Sequence, residues 1–408
     1  MKKLVALVLS ALMILSLAAC SNTNGSEKGD DKSGLANRKV GFIFLHDENS
    51  TYDKNFIDAA KAACKELGLK DENVILKTNI PEGNECYVAA KELVDEGCSF
   101  VFADSFGHED YMIQAAKEFP NVQFSHATGT KAHTEKLANY HNAFASIYEG
   151  RYLAGVVAGM KLKEMIDAGK VKTEEAVVGY VGAFTYAEVM SGYTSWFLGL
   201  RSIVPEATMK VIFTGSWYDQ TLESEAAESL IKQSKCVLLS QHADSMGAPA
   251  MCEENGIPNV SYNGSTQSAC PNTFLVSSRI DWAPYFKYAI QAIAEGKAFD
   301  TDWTGTVATG SVVLTELNNN AVAAGTAEKL EEVKKALADG SLHVFDTSKF
   351  TVNGAAVTSY MADVDTDAAY TGDTEVIKDG FFSESEFRSA PYFDLRIDGI
   401  ELLNENYG

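Results

Sequence analysis

Two stretches of this chain end in side chains suited to holding a flat polar molecule. The apolar run Val211–Thr214 opens into Gly215-Ser216-Trp217-Tyr218-Asp219, and Val237–Leu239 opens into His242, Asp244 and Ser245. An indole beside two carboxylates fits a planar ligand with N–H or O–H donors: the ring stacks and the acids accept hydrogen bonds. Asp47, Asp53, Asp219 and Asp244 would also supply paired carboxylates for acid–base work, as in an exported nucleoside hydrolase. Against catalysis, no nucleophile–base pair is visible. There is no G-x-x-x-x-G-K, H-E-x-x-H or G-x-S-x-G run. His46 and His108 follow apolar strands and are candidates for ligand contact or proton transfer. A lone loop histidine is more simply a hydrogen-bonding surface residue. No Cys/His spacing suits a metal, so no metal and no cofactor is expected.

The elements that must position these groups alternate. Strands are expected at Lys39–Leu45, Val74–Asn79, Phe100–Ala103 and from Val122, separated by helices after Tyr52, at Glu85–Glu96 and at Tyr111–Phe119. A second set follows: a long helix Ala145–Met165, strand Val177–Phe184, helix Glu188–Val204, strand Val211–Thr214, helix Gln220–Ser234, strand Val237–Leu239, helix Ala248–Glu254, and strands Asn259–Tyr262 and Thr273–Ser277. Trp282–Ala294 is a helix returning to the first set, and Glu328–Leu337 is a polar helix. Alternation of this kind gives an α/β fold of two lobes, each a parallel sheet flanked by helices. Ligands bind beyond the carboxyl ends of such strands. That places Asp47–Tyr52 and Asp104–Phe106 of the first lobe opposite Phe184, Trp217, Asp219 and Asp244 of the second. The expected boundaries are 38–142 plus 279–310 for lobe 1, and 143–278 plus 311–408 for lobe 2 with a C-terminal extension.

Lys2 and Lys3 precede an apolar run to Ala19, the pattern of a signal peptide. Its exit, Leu17-Ala18-Ala19-Cys20, resembles a bacterial lipobox, which implies lipidation of Cys20. Residues 20–37 are then a lipidated cysteine and a disordered polar tether. The expected location is the extracytoplasmic face of the cell membrane. The formal charge of −22 argues against nucleic acid and phosphorylated ligands. Six cysteines remain beyond Cys20. In an exported chain an even number allows disulfides, and Cys252–Cys270 is the pair singled out. Cys64, Cys98 and Cys236 sit on apolar faces as buried thiols.

Several pieces together resemble the basic membrane protein family of substrate-binding lipoproteins: Phe124-Ser125-His126-Ala127-Thr128-Gly129, Ile147-Tyr148-Glu149-Gly150-Arg151-Tyr152, Trp217-Tyr218-Asp219, Gln241-His242-Ala243-Asp244-Ser245 and Trp282-Ala283-Pro284-Tyr285. The resemblance spans about Lys39 to Ser348. It implies a type I periplasmic-binding-protein fold and a monomeric receptor that hands a purine nucleoside or nucleobase to an ABC permease. It also implies that Tyr52 stacks on the base, with Phe184 or Trp217 opposite. Asp104, Phe106, Asp219 and Asp244 would contact the ligand, with Asp47, Asn263 and Trp282 completing the set. Arg151 and Tyr152 belong to a structural helix motif. Ser50-Thr51-Tyr52 stands where the family commonly has Lys-Ser-Phe or Trp-Thr-Tyr. Ser265 stands where an acid usually holds the sugar, so a free base stays open beside a nucleoside. A receptor of the same fold for a sugar or another small polar solute is the alternative, and an adhesin or signalling receptor a further one.

Overall fold

The computed structural model describes residues 35–365 and 372–407. The expected signal peptide, Cys20 and most of the expected tether lie outside the described residues. Leu35, ahead of the expected boundary at 38, already packs on the first lobe, and the Ala36 carbonyl accepts from Asn73 Nδ2 at 2.9 Å.

Lobe 1 contains β1 (Lys39–Ile43), α1 (Thr51–Glu66), β2 (Val74–Lys77), α2 (Asn84–Asp95), β3 (Cys98–Ala103), α3 (Glu109–Glu118), β4 (Gln123–Ala127), the short α4 (Ala132–Glu135) and β5 (Tyr140–Ala145). The chain then crosses to lobe 2. There it forms α5 (Ile147–Asp167), β6 (Val177–Gly182), α6 (Ala187–Arg201), β7 (Thr208–Phe213), α7 (Gln220–Lys232), β8 (Leu239–Gln241), α8 (Gly247–Asn255), β9 (Asn259–Tyr262) and β10 (Phe274–Ile280). It returns to lobe 1 for α9 (Ala283–Ala294) and β11 (Asp302–Gly305). It ends in lobe 2 with β12 (Val312–Leu314), α10 (Thr326–Ala338), an extension with two short two-stranded hairpins, and β13 (Ile400–Leu402).

The six-stranded sheet has order β11-β5-β4-β3-β1-β2, and the seven-stranded sheet β12-β10-β9-β8-β6-β7-β13. Every pairing in these sheets is parallel except β10 with β12. In both sheets the order reverses beside the first strand, between β1 and β3 and between β6 and β8. Loops diverge at such a switch point and leave a crevice, so the fold supplies two crevices to be set face to face.

Pleating divides the strand residues between two apolar layers. In β1, Phe42 joins Phe56, Phe102 and Phe286 on one face, whereas Ile43 joins Leu93, Val101 and Phe124 on the other. In lobe 2, α5 and α6 approach until backbones touch. A Cβ at Gly155 would lie 2.0 Å from the Trp196 carbonyl oxygen, and one at Gly199 would lie 2.1 Å from that of Tyr152. Only glycine permits that approach.

Three crossings join the lobes side by side. Ser146 N donates to Gly305 O at 2.8 Å, and Asp281 N donates to Ser311 O at 2.7 Å, so the segments at 146, 281 and 305–311 are neighbours. The C-terminal extension belongs to lobe 2, whose core includes Phe345, Phe382 and Phe393. It touches lobe 1 where Ser389 donates through its backbone N–H and Oγ to Asp302 Oδ1, at 3.1 and 2.9 Å.

Two expectations need correction. Cys252 and Cys270 are free buried thiols, as are the other four described cysteines; Cys270 Sγ bonds instead to Thr266. His108 is fully buried, with Nε2 bonded to the Ile80 carbonyl, not a surface residue. No described helix is long and apolar enough to cross a membrane.

Candidate functional site

The two crevices meet in one slot. Leu45, His46, Tyr52, Asp53, Ser105, Phe106 and Thr128 line it from lobe 1, and Glu188, Trp217, His242, Asp244 and Asn263 from lobe 2. Its atom-free volume, mouth included, is about 370 Å³. The lobes touch around it. Thr51 donates to the Asp244 carbonyl through N at 3.3 Å and Oγ1 at 3.2 Å. The rings of Phe106 and Tyr186 lie 5.3 Å apart across the mouth.

Each wall residue is fixed by its element. Ser50 caps α1, its Oγ accepting from Asp53 N at 3.2 Å, which sets Tyr52 and Asp53 in the first turn. Tyr52 packs edge-on against Phe56 and donates its hydroxyl hydrogen to the Asp104 carbonyl at 2.7 Å. Phe106 follows β3. Trp217 packs edge-on against Phe184 at 5.0 Å, and its carbonyl accepts from Asp244 N at 3.0 Å, which ties the two second-lobe loops together. Glu188 lies in the first turn of α6, its Oε1 3.4 Å from His242 Nε2. Thr128 and Asn263 both have left-handed backbones, φ 62° and 65°. For a β-branched threonine that conformation is strained, and such strain concentrates at ligand clamps.

The electrostatics are those of an acidic slot. Three carboxylates line it, and no Lys or Arg does. Burial would raise the Asp53 carboxyl, but hydrogen bonds from His46 and Ser50 outweigh it and hold the group below its ordinary range. Burial and the nearby Asp53 and Glu223 charges push Asp244 well up, although Asn263 Nδ2 donates to it at 3.1 Å. Burial holds His242 below the ordinary histidine range, so its ring is neutral at pH 7. Anions are disfavoured here; neutral ligands rich in donors are favoured.

Five of the ten expected ligand contacts lie at the slot: Tyr52, Phe106, Trp217, Asp244 and Asn263. The other five lie elsewhere. Asp219 is the N-cap of α7, its Oδ1 accepting from Thr221 N at 3.0 Å and Leu222 N at 2.9 Å. Asp47 turns back to Asn49. Trp282 is buried in the lobe 1 core, stacked on Phe56 at 4.4 Å. Asp104 is buried behind the wall, accepting from Leu45 N at 3.1 Å, and burial together with Asp53 pushes it well above the usual carboxylate range. Phe184 supports Trp217 from behind. Sequence reasoning did not assign Asp53, Glu188 or His242 to the ligand. Asp53 and Glu188 share a usable signal, an acid in the first turn of the helix that follows a switch-point strand.

Glu223 braces the second-lobe loops. Fully buried, it accepts from Asp219 N and from Ser245 N, at 3.1 and 3.2 Å, and burial raises it from the ordinary 4.5 to about 7. Glu384, buried in the extension and bonded by Ser191, is likewise raised to about 7. Between pH 4.5 and 7 the folded chain therefore keeps protons that the unfolded chain has released. Stability then falls as pH rises through that window. Unfolding in denaturant at pH 5 and pH 7.5 should show this fall. Glu223→Gln should reduce it, and an unchanged slope would mean that Glu223 ionises normally.

No group of three or more His, Cys, Asp or Glu among the described residues is placed to hold a metal. The profile of PnrA-like ABC transporter substrate-binding proteins (Bmp) matches residues 42–342. A purine-binding protein of Brucella abortus (strain 2308) is 31% identical over 287 residues, covering 70% of this chain and 75% of the relative. A Haloferax volcanii protein described as an ABC transporter glucose-binding protein is also 31% identical, over 251 residues, 61% of this chain and 60% of that one. Solute-binding proteins of ABC transporter systems from Conexibacter woesei and Aeropyrum pernix superpose with TM-scores of 0.60 and 0.62 at 20% and 16% identity. They cover 75% and 76% of this chain and 98% and 93% of theirs; at such identity the likeness is one of fold, the two-lobed type I periplasmic-binding-protein architecture. By its profile match, the chain belongs to the PnrA-like family of ABC transporter substrate-binding proteins, extracytoplasmic solute receptors and not enzymes.

Proposed function

We propose that this receptor binds a purine nucleoside or nucleobase and that Cys20 carries the lipid anchoring it, as a monomer, beside its permease. One observation carries the ligand reading. Aromatic residues line the slot from both lobes, Tyr52 and Phe106 from lobe 1 and Trp217 from lobe 2, together with Asp53, Glu188 and Asp244 and no Lys or Arg. A base would stack between the rings while its ring N–H and amino donors reach the carboxylates. A purine-binding relative supports the same reading. Lobe closure about the hinge would then present the loaded form to the permease.

A purine nucleoside or base at 100 times its Kd should stabilise the chain by about 2.7 kcal/mol. Thermal shift with nucleosides, free bases, nucleoside monophosphates and hexoses is the direct test. Nucleosides or bases should shift the transition, and monophosphates should not, because their phosphate meets an acidic wall. The sugar reading draws on the glucose-binding relative; a shift with hexoses alone would replace the purine reading. Tyr52→Ala should weaken purine binding by about 1–3 kcal/mol, the usual worth of one aromatic–base stack, while Tyr52→Phe should retain most of it. Titration calorimetry on both variants checks this, and equal affinities for wild type and Tyr52→Ala would remove Tyr52 from the contact. Cys20→Ser should move the protein from the membrane fraction to the soluble fraction.

A further inference from the structure

The family match ends at residue 342, yet the end of the chain returns to the ligand site. β13 runs parallel to β7, pairing Ile400 with Met209 and Leu402 with Val211. Past it, Leu403 N donates to Val211 O at 2.9 Å. The Asn404 side chain then acts as one more peptide group. Its Oδ1 accepts from Phe213 N at 2.7 Å and its Nδ2 donates to Phe213 O at 2.8 Å.

Asn406 bonds the neighbouring loop in both directions. Its N–H donates to Thr185 Oγ1 at 2.9 Å, and its carbonyl accepts from Thr185 N at 2.7 Å. Tyr186 donates its hydroxyl hydrogen to the Tyr407 carbonyl at 3.1 Å. Gly215 is left-handed, φ 76°, and a Cβ there would fall 2.2 Å from Asn406 Nδ2. The loop and the tail are thus in contact at a position whose left-handed backbone favours glycine.

The clamped loops carry the aromatic wall of lobe 2. Phe184 and Tyr186 stack at 5.1 Å, and Trp217 meets them at 5.0 and 6.0 Å. Loop residues left unordered would have to be ordered by the ligand, at about 1–2 kcal/mol each for the backbone alone, and preordering them returns that as affinity. We propose that residues 404–407 are a positioning element of the ligand site, holding the loops after β6 and β7 in the conformation the ligand needs. This rests on the cleft being the ligand site, whichever solute fills it.

The test is the full chain ended after Leu403. The residues removed are mostly exposed and contribute no core side chain, so the fold should persist. Amide hydrogen exchange should quicken over 183–187 and 213–217 in the empty protein. The Kd for adenosine or guanosine, or for whichever solute wild type binds, should rise at least tenfold through faster release. Glu401→Ala, whose exposed carboxylate pairs with Lys210 on β7 ahead of the clamp, should leave both readings unchanged. Wild-type affinity together with wild-type exchange in the shortened chain would overturn the proposal. Should that chain fail to fold, Asn404→Ala decides: faster exchange at 213–217 with weaker binding supports it, and unchanged values overturn it. If wild type binds no purine at all, the purine reading falls, while the exchange measurement still decides the role of the tail.

Discussion

Replacing Asp244 with alanine should weaken ligand binding by about 100-fold while leaving the empty protein at least as stable as wild type. Asp244 sits at the slot with Asn263 Nδ2 as its hydrogen-bond donor, at 3.1 Å. A hydrogen bond contributes about 0.5–1.5 kcal/mol net, and a ligand donor left buried without a partner costs about 1–3 kcal/mol more. Together these span about 1.5–4.5 kcal/mol, a range centred near the 2.7 kcal/mol or so that corresponds to 100-fold. The effect on the empty protein has the opposite sign. Burial and the facing acids Asp53 and Glu223 already oppose ionisation of Asp244, so its removal relieves repulsion. Calorimetric titration with the ligand, beside thermal unfolding without it, separates the two. A variant that binds as wild type does would remove Asp244 from the site. A variant that binds poorly because it is unstable would make the residue structural.

Arg151→Met should destabilise lobe 2 by about 3 kcal/mol. Arg151 is fully buried in α5 beneath the slot. Its NH1 donates to Ser261 O at 3.2 Å and Ser278 Oγ at 3.4 Å; its NH2 donates to Tyr180 OH at 2.9 Å, Ser240 Oγ at 3.0 Å and Gln241 O at 3.3 Å. These partners lie on β6, β8, β9 and β10, so one guanidinium joins four strands. Methionine fills similar space but donates nothing. The hydroxyls can turn to new partners, whereas the Ser261 and Gln241 carbonyls cannot, and each stranded buried acceptor costs about 1–3 kcal/mol. Two such acceptors cost about 2–6 kcal/mol, and relief from burying a cation offsets part of this, which leaves a net of about 3 kcal/mol. Denaturant unfolding monitored by circular dichroism measures it. A loss below about 1 kcal/mol would mean that desolvation of the cation cancels its hydrogen bonds.

The alternation of strands and helices was legible because strands buried on both faces read as unbroken apolar runs. Where that signal failed, polar side chains were inside. β5 was missed because His141 and Asn142 sit in it, buried but bonded to Asp300 O and Ala132 N. The expected helix from Ala145 therefore took in the end of that strand. β11 and β13 are short edge strands of mixed polarity and leave no periodic trace. At the site, strand-end position told which loops meet, but not which side chain of each loop turns inward. Asp219 shows the difficulty: an Asp just before an apolar-periodic run is an N-cap signature as much as a ligand carboxylate, and the cap is what formed. Trp282 was read as a contact from a motif, but its flat apolar surface is satisfied by Phe56 in the core. The inward-facing Glu188 needed a loop conformation that is set by residues 404–407, more than two hundred positions away in the sequence.

The three adjacent crossings between the lobes have a dynamic consequence. A body tied by one strand of chain can swing and twist freely; one tied by three, laid side by side and hydrogen-bonded to each other at 146–305 and 281–311, folds about a single axis. Opening then reduces to one angular coordinate. A single pair of spin labels, one per lobe, would report the whole conformational distribution of this receptor, and their distance histogram would have two peaks whose weights alone change as solute is added.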